Sequence, residues 1–153
     1  MLRSARTALL RLGRAVRTPD GAGTAARDDG TVRLPLPETL PASLGCDAVG
    51  VPARHGFRLM ARMPRTGCVF ADRDWWWWIV PAGSDLELSW PAPALYVRGI
   101  DVPAVRPRLI HWPDDRTPYT PPIPFYLMVC QLAGTAPAWA EGPLPAPPGG
   151  ARA

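Results

Sequence analysis

Lysine and asparagine are absent from this chain, and all 17 of its basic residues are arginines. That is the composition of a GC-rich coding sequence, so abundant arginine is not by itself a sign of arginine chemistry. Histidine is scarce as well, with His55 and His111 alone. The three cysteines, Cys46, Cys68 and Cys130, form no CxxC pair and have no histidine at ligand spacing. This disfavours a disulfide framework and a zinc site, leaving reduced thiols packed as small apolar groups in a cytoplasmic protein. No apolar run reaches the ~20 residues of a membrane-spanning helix. GxxxxGK(S/T), GxGxxG after a strand, GxSxG and HExxH are all missing. No catalytic residue, metal site or cofactor is therefore read from the sequence.

What is present is a chain of 153 residues, room for one domain with a hydrophobic core. Its 21 prolines and 14 glycines require short elements and many connections. The net charge of +4 is uneven: residues 1–33 hold seven arginines against three acids, whereas residues 34–142 hold nine against ten. A nearly neutral centre argues against nonspecific nucleic-acid binding by bulk charge.

Three segments follow. Residues 1–33 are a basic amphipathic stretch and linker, 34–142 the folded domain, and 143–153 a disordered tail rich in proline and glycine. On a helical wheel Arg3, Arg6, Arg11, Arg14 and Arg17 share one arc, and Leu2, Leu9, Leu12 and Val16 another. Three readings stay open for this helix: docking on its own domain, contact with a membrane surface or an acidic protein partner, and targeting.

Within the domain, 46–51 reads as a strand, followed by a helix begun at Pro52 and stopped at Pro64. Gly56 weakens that helix. Arg54, Arg58 and Arg62 form one ridge on it, either a solvated face or a phosphate-binding strip, and Phe57, Leu59, Met60 and Met63 are left for packing. Further strands are expected at 67–71, 75–80, 94–99 and 107–112. TPYTPPIP (117–124) reads as an extended connector, and 125–132 as a buried helix or a strand. His111 lies in HWPDD beside Asp114 and Asp115, a turn whose aspartates are expected to be solvated.

The run WWWWIV (75–80) carries no polar alternation. Trp75, Trp77 and Ile79 share one strand face, and Trp76, Trp78 and Val80 the other. Such a strand belongs in the middle of a sheet covered on both sides. The alternative, an aromatic platform for bases, needs positive charge nearby. Here the flanking residues are Asp72, Asp74, Asp85 and Glu87 against Arg73.

The succession CDAVGVPARHGF, GCVFADRDWWWWIVPAGS and LYVRGIDVPAVRPRLIHWP resembles the amino-terminal domain of the bifunctional DNA primase/polymerase family, in particular its short actinobacterial members. The likeness covers roughly residues 44–132. It implies an α+β fold, a single small domain with a central, mostly antiparallel sheet, an RNA-recognition-like core and one or two packed helices. It also implies acids on the first strand and a hairpin histidine acting on a nucleotide. Asp47 matches the first acid, but Val49 stands at the second, and Trp75–Trp78 occupy the hairpin position. One aspartate cannot hold the two ions of phosphoryl transfer. The expectation is thus a non-catalytic DNA- or nucleotide-binding or interaction module, with Asp47, Arg98 and Arg108 as contact residues. An interaction module using residues 1–17 toward a protein partner, and a still active nucleotidyltransferase, are the alternatives.

Overall fold

A computed structural model describes residues 30–141, so the amphipathic stretch 1–17 and the tail 143–153 lie outside the described residues. The elements in chain order are β1 (Val32–Arg33), β2 (Cys46–Pro52), α1 (Ala53–Arg62), β3 (Val69–Ala71), β4 (Trp75–Pro81), β5 (Leu95–Val97), β6 (Asp101–Val102), β7 (Arg108–His111) and α2 (Pro122–Ala133), then a 3-10 turn at Ala138–Glu141. The main sheet has the order β5-β2-β4-β3-β7, with every neighbouring pair antiparallel. β1 and β6 form a separate two-stranded ribbon. The linker expected to run to residue 33 therefore gives way to structure by Val32.

Prolines set the helix boundaries. Pro52 closes β2 and precedes α1, its ring holding φ at −54°. At the other end Met63 is extended, with ψ 131°, because the residue before a proline is pushed out of helical geometry. The extended connector expected at 117–124 is corrected at its end: Pro122, Ile123 and Pro124 are the first turn of α2. Prolines are tolerated there because the first N–H groups of a helix have no intrahelical acceptor. α2 stops at Gly134, whose φ of 67° is the left-handed cap glycine supplies.

The sheet is covered on both faces. Ala48, Phe70, Cys68, Trp77 and Ile79 pack against Leu34, Ile100, Val102 and Ala104, which come from the β1–β6 ribbon and its flanks. On the other face Val49, Val51, Val69, Trp78 and Val80 meet Leu59 of α1 and Phe125 and Val129 of α2. β2, α1, β3, β4 and β5 follow the order of a β-α-β-β-α-β core up to the second helix. Residues 82–94 carry no helix, and α2 comes after β7 instead.

Two glycines permit the closest approaches. Gly50 lies opposite Trp77 in the β2–β4 register, and a Cβ there would stand 2.5 Å from the indole. Gly56 is buried against Trp76, whose ring occupies the space a Cβ would need. The glycine that weakens α1 as an isolated helix is what lets it lie on the sheet.

Candidate nucleic-acid interface

The tryptophan strand is not a stacking platform. Trp77 and Trp78 are fully buried, and neither indole Nε1 has a hydrogen-bond partner among the described residues. Trp78 lies 4.9 Å from the Phe125 ring and Trp77 lies 5.6 Å from Trp75, centroid to centroid. Trp75 and Trp76 are only half-buried, so the interior claims two of the four rings outright and shares the other two with solvent. An RNA-recognition sheet binds bases on an open face. In this chain the sheet face turned away from α1 and α2 is closed by Leu34, Ile100, Val102 and Ala104.

Asp47 is buried on β2, beside the edge strand β5. Its Oδ2 accepts from the Gly83 N–H at 2.8 Å and from the Tyr96 hydroxyl at 2.5 Å, and its Oδ1 accepts from the Gly99 N–H at 2.7 Å. Burial alone would raise its pKa. The Gly99 N–H, the Tyr96 hydroxyl, the Gly83 N–H and the Arg98 charge outweigh burial and hold the carboxyl below the ordinary aspartate value. Tyr96 moves the opposite way: its own burial, then the bond to Asp47, push its hydroxyl up. This carboxylate ties the turn after β4 to the turn after β5, with both oxygens occupied.

Arg98 sits beside Asp47, yet its Nε and its Nη2 each lie 2.9 Å from Asp85 Oδ2, which fixes it to the 82–94 loop. Arg108 is exposed on β7, at the opposite edge of the sheet. The structure therefore brings Asp47 and Arg98 together and leaves Arg108 apart. His111 Nδ1 meets the Gly67 carbonyl at 3.0 Å, and Asp114 accepts from the Thr66 N–H at 3.2 Å. Asp115 pairs with Arg65 at 3.2 Å. No group of three or more His, Cys, Asp and Glu among the described residues could hold a metal ion.

Three of the cations without an acid among the described residues are on α1. Its inner side carries buried Gly56 and Leu59, and its outer side presents exposed Arg54, Arg58 and Arg62. None of the three makes an ion pair with a described residue. Phe57, expected to pack, is instead 72% exposed among them. At 100° per residue Phe57 falls about 60° from Arg54 and buried Leu59 about 60° from Arg62, so both flank the ridge and spacing alone does not separate them. Successive arginines rise about 6 Å along the axis. Partial burial, then the Arg54 and Arg58 charges, lower the pKa of His55 from its ordinary value. Beside the ridge, a cleft of about 150 Å3 between α1 and α2 is lined by Arg58, Leu59, Arg62, Met128, Gln131 and Leu132.

The chain matches no protein-family profile, no curated protein and no solved structure.

Proposed function

We propose that this α+β domain is a non-catalytic module that binds single-stranded DNA along the outer face of α1. The observation that carries the reading is the exposure of Phe57 beside a ridge of three arginines that pair with no described acid. Single-strand binders combine positive charge that follows the backbone with an aromatic ring that stacks on a base. The tryptophan strand lacks that combination, and α1 has it. The rise between successive arginines is close to the separation of neighbouring phosphates along a strand. Asp47 is left to structure by its three donors, and with Val49 in the second acidic position it supplies no ion cage. The free thiols of Cys46, Cys68 and Cys130 support a reducing, cytoplasmic setting. No helix among the described residues is long and apolar enough to cross a membrane.

Three phosphate contacts place binding near the weak end of nonspecific affinities, with Kd of roughly 10⁻⁴ M at physiological salt. At about 0.7 counterions released per phosphate on a single strand, log K falls with log salt at a slope of about −2. Fluorescence anisotropy of a labelled oligothymidylate across a salt series tests this. Simultaneous Arg54→Ala, Arg58→Ala and Arg62→Ala should abolish both the binding and the slope without moving Tm. Unchanged binding in the triple variant overturns the reading. So does displacement by polyglutamate as effective as by unlabelled oligothymidylate, which would make the ligand an acidic protein. Loss of binding on removal of residues 1–29, with the triple variant still binding, would transfer the role to the basic segment. That truncation must stop before Val32, which pairs with Val102.

A further inference from the structure

Across the sheet from α1, Gly30, β1, the loop from β6 to β7 and the start of β7 border a cavity of about 600 Å3. Val32, Ala104, Val105 and Pro107 give it apolar walls, and Arg106 and Arg108 bring two guanidinium groups. Its volume is in the range of small-molecule sites. Both arginines are exposed, and neither makes an ion pair with a described residue. Two acids on adjoining elements are already engaged: Asp101 with Arg33 at 3.6 Å, and Asp72, whose Oδ2 accepts from the Val105 N–H at 2.9 Å.

The backbone here is strained. Arg106 has φ 52°, the one positive value among the described non-glycine residues. An L side chain in that region is disfavoured, and a long side chain gains nothing locally in return. The conformation persists because both neighbours are fixed, Val105 by Asp72 and Pro107 by its own burial. Strain of this kind, at an arginine on a cavity wall, has a rationale when that side chain meets a ligand.

We propose that the cavity binds a small phosphomonoester, its phosphate taken by Arg106 and Arg108 and its apolar body resting on Val32, Ala104, Val105 and Pro107. Two guanidiniums with no ion pair to a described residue suit a group that carries about −1.5 to −2 near neutrality better than a monocarboxylate. Arginine's planar fork suits its oxygens. The site is independent of α1, which covers the other face of the sheet.

Isothermal titration of the full chain with phenyl phosphate, inorganic phosphate and benzoate separates the contributions. Phenyl phosphate should saturate and bind about tenfold or more tightly than either of the others, a difference of about 1.4 kcal/mol. Arg106→Gly should weaken it at least about tenfold while raising Tm, since glycine adopts positive φ without strain. Arg108→Ala should weaken it similarly with Tm unchanged, and the triple α1 variant should bind it like the parent chain. Equal affinity in Arg106→Gly overturns the proposal. Absence of saturation, or benzoate binding as tightly as phenyl phosphate, overturns it too.

Discussion

The centre of the sheet and the outer face of α1 use the same residue types to opposite ends. On β4 aromatic rings are enclosed, and on the adjoining β2 a carboxylate is saturated by donors. On α1, an aromatic ring is open to solvent and three cations lack acids. The difference teaches that residue type alone does not decide which rings and charges stay open to solvent. Trp77 and Trp78 offer large ring faces, but a ligand cannot reach them. Asp47 matches a catalytic acid in sequence, yet its lone pairs are committed to Gly83, Gly99 and Tyr96. Phe57, a single ring on a short helix, has both access to solvent and arginines on its own helix.

The contrast breaks most visibly if the core ring is removed. Trp78→Ala should cost about 3–5 kcal/mol of stability in urea unfolding, because the ring joins β4 to Phe125 of α2 and leaves a cavity. Trp76→Ala, at a half-buried ring, should cost clearly less. Equal costs at the two positions would mean that the strand is not interior at Trp78.

Asp47→Ala comes next, at about 3 kcal/mol, since it leaves two N–H groups and a hydroxyl without their shared acceptor. Asp47→Asn, which keeps one carbonyl oxygen, should recover part of this. The sign of the pH dependence follows from the lowered pKa. A depressed carboxylate contributes stability that is present above the unfolded value of ~3.9 and lost as pH falls through the lower folded value. The parent chain should therefore lose stability below about pH 4 more steeply than Asp47→Ala. If the two chains share one acid profile, Asp47 is not the anchor described above.

The smallest effect on stability sharpens the comparison from the other side. Phe57→Ala should move unfolding by no more than about 0.5 kcal/mol, as expected for an exposed position. It should nevertheless weaken oligothymidylate binding by about 1–3 kcal/mol, the range for one stacked base. A stability loss as large as that at Trp78 would assign Phe57 to packing.

Much of the architecture was legible in local pattern. The apolar run 75–80 predicted a strand covered on two faces, and the prolines at 52 and 64 bracketed α1. Arg54, Arg58 and Arg62 fell on one ridge by spacing alone. The second helix was half legible, because an all-apolar segment has no period by which to tell helix from strand, and its prolines read as a break rather than a first turn. The candidate site was less legible. Asp47, Arg98 and Arg108 were grouped by a family resemblance, but two of them are tied into one edge of the sheet and the third stands at the other.

The sequence by itself determined α1 and the main strands, the double burial of β4 and the charge ridge, because these depend on the periodicity of side chains along a single segment. Only the tertiary structure decided which charges were neutralised, which sheet face was closed by the β1–β6 ribbon, and that Gly56 exists to admit Trp76. Those outcomes depend on distances between segments tens of residues apart. Such distances are set by packing and by the pairing of buried polar groups, which no local period encodes.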